Sequence, residues 1–128
     1  MVRTKVFRHI FKLHGFLESM KFAWKGVVYL FLYHRNMRII FMSGIAMLLL
    51  GFYFQLRGIE LVALSITVTL VFMAEIFNTS IEMLMDMLTA KYHIRIKLVK
   101  DIAAAIVLIT CLNAIAVSYI LFIRKIIK

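Results

Sequence analysis

The feature that most constrains this chain is an uncharged apolar run over residues 39–56. A helix of that length extends about 27 Å, close to the thickness of the hydrocarbon core of a bilayer. The chain contains no proline and only five glycines, so it has few places to turn. The run therefore predicts a membrane-spanning helix, and the scarcity of turn residues predicts that the other elements are long helices too.

Two further apolar runs follow, over residues 61–88 and 102–123. They are separated from each other by a basic connector at 89–100, and a short polar turn at 57–60 separates the first run from the second. Hydrophobic residues make up 64% of the chain, whereas about 45–50% is usual for soluble domains. The sequence thus predicts an all-α integral membrane protein with three transmembrane helices in a single membrane domain, 1–128.

The segment before the first span is basic and partly amphipathic. Residues 1–15 are predicted to form a basic N-terminal arm, and residues 16–35 repeat apolar side chains at helical spacing, with Trp24 among them. Lys21 and Lys25 fall toward the other face. This pattern predicts an amphipathic surface helix in the plane of the lipid headgroups, although an ordinary amphipathic packing helix would give the same pattern.

The charge balance is strongly positive, with 16 Lys and Arg against 6 Asp and Glu. A nucleic-acid-binding protein would need a soluble scaffold for such a basic face, so we expect membrane lipids and no nucleic acid as partners. Most of the basic residues precede the first span or lie in the connector, which predicts that both face the cytoplasm. The basic C-terminal tail, which is expected on the opposite side, runs against that rule. The bases expected on that side are Arg57, Arg124, Lys125 and Lys128.

The second span carries a polar stripe toward its end. At about 100° per residue, Glu75, Asn78, Glu82 and Asp86 fall within roughly 80° of one another around a helix. Ionised carboxylates at membrane depth are costly unless they meet water, a cation or a partner. Such a stripe suits a Mg²⁺ ion shared with substrate phosphates, or a general base acting on an alcohol. Passage of cations along the stripe is a third interpretation.

A structural interpretation of the same region also stands. Glu82 or Asp86 could pair with Lys97 or Lys100 and lock two helices together. Lys100 could neutralise phosphate oxygens or be a lysine that extends to the interface from a helix end. Asp101 could cap the third span or take part in nucleotide binding.

The residues around this stripe resemble the signature of the prokaryotic diacylglycerol kinase/undecaprenol kinase family. The matching segments are AEIFNTSIE at 74–82, Asp86 and KDIAAA at 100–105. AWKG at 23–26 and RNMR at 35–38 match the surface-helix motif and the entry to the first span. GFYFQL at 51–56 is similar to the Gram-positive, undecaprenol-directed branch. The resemblance extends from about Glu18 to Phe122.

This resemblance implies a homotrimer in the bacterial inner (cell) membrane, with active sites between subunits that face the cytoplasm. It implies a kinase, a transferase of lipid metabolism, that moves the terminal phosphoryl group from ATP with Mg²⁺ to a lipid alcohol. Undecaprenol is the expected substrate and diacylglycerol the alternative. By the same match Glu75 is the catalytic general base and Glu82 a metal ligand. The implied nucleotide-binding residues are Asn78, Glu82, Asp86, Lys100 and Asp101.

One position departs from the family pattern. Kinases of this family have a glutamate where this chain has His34, and that glutamate shares metal ions with the residue that matches Glu82. An imidazole can bind a metal, but nitrogen ligands favour Zn²⁺ or transition metals over Mg²⁺. His34 is therefore a candidate metal ligand. Its presence also raises a second hypothesis, that the protein is a diverged member that binds nucleotide or lipid with weak or no turnover.

Overall fold

The structure, a computed structural model, describes the backbone of residues 2–88 and 94–127, with side chains from residue 15 onward. It consists of four helices: α1 (Val2–Tyr33), α2 (Arg35–Tyr53), α3 (Ile59–Leu88) and α4 (Ile94–Ile127). The described ranges contain no strand. Helices α2, α3 and α4 are each long and apolar enough to cross a membrane. The predicted all-α class with three spans is therefore confirmed.

The helices extend beyond the apolar runs. Helix α1 is continuous through the predicted boundary between the arm at 1–15 and the surface helix at 16–35. Helix α4 begins at Ile94, well before the third apolar run starts at 102. Hydropathy locates the part of a helix that lipid can cover, whereas lysine, arginine and leucine propagate a helix through the polar segment beside it.

The chain divides into two compact units, residues 1–38 and 39–128. In the first unit, α1 leaves large apolar side chains uncovered, including Phe16 and Trp24, of which 66% and 70% are exposed. An uncovered apolar face is what a helix in the headgroup plane would present to lipid. The surface location of this helix remains a prediction.

In the second unit, α3 and α4 run antiparallel, and an ion pair joins them near each end. Asp86 pairs with Lys100, and Glu60 pairs with Lys125. We call the first the carboxylate end, formed by the last turns of α3 and the first turns of α4. The second is the turn end, formed by residues 53–60 and the last turns of α4. Glu60 and Asp86 are roughly 39 Å apart along α3.

Helix α2 approaches α3 closely at two glycines. A Cβ atom at Gly44 would lie 2.7 Å from Val68 Cγ1, and one at Gly51 would lie 2.9 Å from Leu64 Cδ2. Small residues allow membrane helices to pack this closely, since dispersion contacts drive their association. These glycines fix α2 against the helix that carries the polar stripe.

Several hydroxyl groups within the spans donate to backbone carbonyls of their own helices. Thr67 and Ser80 donate to the carbonyls of Ala63 and Ile76 at 2.7 and 2.8 Å. Such bonds to the residue four positions earlier remove the cost of a hydroxyl in lipid. The amide of Asn78 instead donates to a side chain of the same helix, that of Glu82, and Asp86 pairs with Lys100 of α4.

Candidate functional site

The polar stripe of α3 changes in burial along its length. Glu75 is only 6% exposed, Asn78 is half-buried, and Glu82 and Asp86 are exposed. Glu75 and Glu82 are two helical turns apart, roughly 10 Å along the axis. One face of a single helix thus carries a buried carboxylate and, further along, two carboxylates accessible to water.

Asn78 connects the buried and exposed parts of the stripe. Its Nδ2 donates to Glu82 Oε1 at 3.4 Å, a long hydrogen bond that orients the carboxylate weakly. Its Oδ1 is buried and has no hydrogen-bond partner within the described residues. A buried amide oxygen without a partner costs about 1–3 kcal/mol, so this atom is an acceptor available to a cation or to a hydroxyl or N–H donor.

Lys100 joins the stripe from the first turns of α4. Its Nζ donates to Asp86 Oδ1 at 2.6 Å, an interhelical ion pair in which 36% of the Lys100 side chain and 68% of the Asp86 side chain are exposed. The structural interpretation, in which Asp86 pairs with Lys100, therefore describes this contact correctly. Exposed pairs contribute about 0–1 kcal/mol, so the contact can be exchanged for another anion at little cost.

Asp101 is also paired, with Lys97 one helical turn earlier at 2.9 Å. It does not cap the third span: α4 begins at Ile94, so Asp101 lies within the helix. That alternative is wrong because the helix continues through the basic segment, where the Lys97–Asp101 pair supports it. Both members are more than half exposed and remain accessible to a soluble ligand.

His34 belongs to the other unit and lies between α1 and α2. Its backbone N–H donates to Leu30 O at 3.0 Å, and its ring centroid is 5.9 Å from that of Tyr29. Among the described residues, no three His, Cys, Asp or Glu side chains are grouped closely enough to hold a metal ion. The assignment of His34 as a metal ligand with Glu82 remains a prediction.

The donor set within α3 nevertheless suits Mg²⁺. This ion binds proteins through one or two carboxylates and takes the rest of its coordination shell from water and substrate phosphates. Glu82 offers an exposed carboxylate, and the unpartnered Oδ1 of Asn78 offers a neutral oxygen beside it. A site of this kind is completed by the phosphates of the nucleotide that it binds.

Fold and site together define a helical membrane protein with an acidic and amide-containing site at one end of its spans. The family model for prokaryotic diacylglycerol kinase matches residues 21–122. This range includes α2, α3, the candidate site and most of α4. The chain belongs to the prokaryotic diacylglycerol kinase family, as its sequence signature indicated.

Two relatives have assigned activities. A diacylglycerol kinase from Synechocystis is 35% identical over 103 residues, covering 80% of this chain and 59% of that protein. An undecaprenol kinase from Bacillus subtilis is 28% identical over 117 residues, covering 91% of this chain and 95% of that protein. Both relatives are lipid kinases by name, but they differ in the lipid named.

Sequence reasoning missed the contacts at the other end of the helices. The Glu60–Lys125 pair was not expected, although antiparallel second and third spans bring the start of one near the end of the other. The sequence did indicate this contact, because Glu60 and Lys125 each lie at the boundary of an apolar run. The Asn78–Glu82 bond could also have been inferred, because residues four apart are neighbours on a helix.

Proposed function

We propose that this protein is an ATP-dependent lipid kinase and that undecaprenol is its substrate. The observation that carries the proposal is the gradient of burial along α3 in a member of this family. Glu75 is buried and would take the lipid hydroxyl, whereas Glu82 and Asp86 are exposed and would take the water-soluble nucleotide. One helix face would thus offer one site to a lipid in the membrane and another to a nucleotide in water.

The proposed chemistry assigns the general base to Glu75. Its carboxylate accepts the proton of the lipid hydroxyl while that oxygen forms a bond to the terminal phosphorus of ATP. The bond from this phosphorus to the oxygen that bridges it to ADP breaks, and ADP leaves with the bonding electrons. Phosphoryl transfer depends mainly on positioning and charge stabilisation, which a few residues on packed helices can supply.

The exposed residues are assigned to the nucleotide. Glu82 and Asn78 would hold Mg²⁺, which offsets negative charge on the phosphates when bound. Lys100 would turn from Asp86 toward the phosphate oxygens, since exchange of an exposed ion pair has a small free-energy cost. Asp86 and Asp101 complete the nucleotide side of the site in this proposal.

The choice of undecaprenol follows from two comparisons. The segment at 51–56 is similar to the undecaprenol-directed branch, and alignment with the Bacillus subtilis undecaprenol kinase covers nearly all of both chains. The aligned region spans little more than half of the Synechocystis diacylglycerol kinase. Diacylglycerol is the alternative substrate.

The proposal includes assembly as a homotrimer and a cytoplasmic site in a cell membrane. Support for assembly comes from the uncovered apolar surface: of the apolar run at 102–123 in α4, only Ala103 is buried within the chain. Lipid or neighbouring copies would cover it. The excess of basic residues before α2 and in the connector supports an orientation with the carboxylate end inside.

The test is transfer of label from radiolabelled ATP to undecaprenol or diacylglycerol, with purified protein in mixed micelles and with or without Mg²⁺. We expect Mg²⁺-dependent formation of undecaprenyl phosphate, with kcat/KM for undecaprenol at least about tenfold above that for diacylglycerol. Faster phosphorylation of diacylglycerol would reverse the substrate assignment. No transfer to any lipid alcohol would reject the kinase proposal.

His34 motivates a second candidate, a family member that binds nucleotide or lipid with little turnover. The absence of a three-residue metal cluster among the described residues is consistent with it. Replacement of His34 by glutamate separates the two candidates. A large gain in rate supports a weakened enzyme, whereas an unchanged or lower rate supports a working site that contains histidine.

A further inference from the structure

The turn end contains basic side chains that the proposed kinase reaction does not use. Glu60, in the first turn of α3, and Lys125, in the last turn of α4, pair at 3.6 Å between Oε2 and Nζ. About a third of each side chain is exposed, so the pair is more shielded than those at the carboxylate end. It holds the start of α3 against the end of α4.

Two arginines flank this pair. The carbonyl of Arg57 accepts the N–H of Glu60 at 3.3 Å, so Arg57 lies one turn from the pair, and Arg124 directly precedes Lys125. Both arginines are exposed, and neither forms an ion pair within the described residues. With Glu60 neutralised by Lys125, the charges of the two arginines remain without a counter-charge among the described ion pairs.

The backbone that carries Arg57 is well fixed. Leu56 is only 1% exposed, and its N–H donates to Gly51 O at 2.9 Å. Gln55 and Gly58 both have positive φ angles, of 60° and 59°, which make the chain reverse sharply between α2 and α3. Arg57 therefore extends from an ordered turn with a buried anchor.

Aromatic rings lie directly beside this cluster. Phe54 packs edge to face on Phe122 of α4, with centroids 5.5 Å apart, and Tyr53 is 79% exposed. Aromatic side chains gather at the boundary between hydrocarbon and headgroups. The arginines, which follow the rings outward along the chain, thus reach the level of the lipid phosphates.

We infer that Arg57 and Arg124, two exposed arginines next to the Glu60–Lys125 pair along the chain, bind the phosphate of an anionic phospholipid. Guanidinium groups suit phosphate because they donate two parallel hydrogen bonds. Glu60 limits the affinity of the site for phosphate, because its carboxylate neutralises Lys125. The site also gives a role to the basic C-terminal residues that oppose the positive-inside pattern. It does not depend on the proposed kinase activity.

A fluorescent reporter at the turn end can test this site. Trp24 is the only tryptophan, so a Trp24→Phe/Tyr53→Trp protein places a single indole beside the cluster. The protein is reconstituted in phosphatidylcholine vesicles that contain an equal fraction of brominated phosphatidylglycerol or brominated phosphatidylcholine. Stronger quenching by the anionic lipid measures its local enrichment.

We expect anionic lipid to be enriched, and Arg57→Gln/Arg124→Gln to lower that enrichment at least about fivefold. Glu60→Gln should raise it, because Lys125 then adds its charge. The matched control is Arg95→Gln/Lys97→Gln, which removes two charges at the other end of α4 and should leave quenching unchanged. The opposite signs expected for the two turn-end variants distinguish a binding effect from misfolding.

A further arm adds inorganic phosphate at matched ionic strength, to separate a lipid headgroup from a free anion. Retention of the enrichment supports a lipid site, and its specific loss would assign the cluster to soluble phosphate and overturn the inference. Equal quenching by both lipids would also overturn it, as would equal losses in the double variant and its control.

Discussion

The two ends of the α3–α4 pair use the same kind of contact in different settings. An aspartate or glutamate of α3 pairs with a lysine of α4 at each end, at 2.6 Å for Asp86–Lys100 and 3.6 Å for Glu60–Lys125. At the turn end the pair lies beside a tight turn anchored by buried Leu56. At the carboxylate end Asp86 is 68% exposed, and a buried amide oxygen nearby has no partner within the described residues.

This difference separates a contact that holds helices together from one that a ligand can replace. Ion-pair length does not make the distinction, because the shorter pair is the more exposed one. Burial and the neighbouring polar groups distinguish the two contacts. At the carboxylate end a buried amide oxygen lies beside exposed carboxylates that a soluble ligand can reach, whereas the turn end combines a more shielded ion pair with aromatic neighbours and two exposed arginines.

Among the variants that compare the two ends, replacement of Glu82 by glutamine should have the largest effect, and that effect should be confined to catalysis. It removes the proposed Mg²⁺ ligand while keeping the size of the side chain, and we expect roughly a 100-fold loss of kcat/KM, about 2.7 kcal/mol. The loss should be partly overcome by excess Mg²⁺. Initial rates across a Mg²⁺ titration measure this.

Glu18→Gln is the matched control for that variant, since Glu18 is an exposed residue of α1 outside the proposed site. Its rate should equal that of the wild type. A Glu82→Gln enzyme within about threefold of the wild-type rate at every Mg²⁺ concentration would contradict the metal assignment.

Truncation of the buried leucine in the turn should have the opposite profile. Leu56→Ala leaves a cavity beside Gly51 and Leu64, and we expect a loss of about 2 kcal/mol in the free energy of unfolding. The rate per folded molecule should change little. Unfolding in micelles, followed by circular dichroism, measures the loss of stability. A lower catalytic rate with unchanged stability would contradict the distinction between the two ends.

Removal of the exchangeable lysine should affect nucleotide binding. Lys100→Gln deletes a charge-assisted hydrogen bond to phosphate, so we expect the KM for ATP to rise about tenfold with kcat nearly unchanged. Stability should fall by less than about 1 kcal/mol, because the pair with Asp86 is exposed. If stability falls sharply while KM stays constant, Lys100 has only a structural role.

The smallest effect is expected at the pair within α4. Lys97→Gln breaks an exposed contact between residues four apart, which contributes about 0.3–0.5 kcal/mol. The unfolding midpoint should shift slightly, and less at high salt because ions screen the pair. A shift as large as that of Leu56→Ala would show that burial does not distinguish these contacts.

The sequence predicted the spans and the stripe because both depend on short-range patterns. Apolar runs show which residues lipid can cover, and helical periodicity places Glu75 and Asp86 on one face. The start of α4 at Ile94 was beyond that reasoning, since hydropathy does not detect a helix that continues into water. The Glu60–Lys125 pair was also missed, because it depends on how two distant segments meet.

Burial along the stripe needed the structure as well. Periodicity assigns Glu75 and Glu82 to the same face without distinguishing them, yet one is 6% exposed and the other is open to solvent. That difference depends on tertiary packing, which helical periodicity does not encode. It supports the division of roles between a base on the lipid side and a ligand on the nucleotide side.

The most direct test of that division is the rate of label transfer from ATP to undecaprenol by Glu75→Gln, compared with wild type and Glu18→Gln. We expect a loss of about 100-fold or more in kcat. The KM for ATP and the dependence on Mg²⁺ should stay unchanged, because the proposed role of Glu75 is to act on the lipid hydroxyl alone. A rate within about threefold of wild type would contradict it, as would a loss that excess ATP restores.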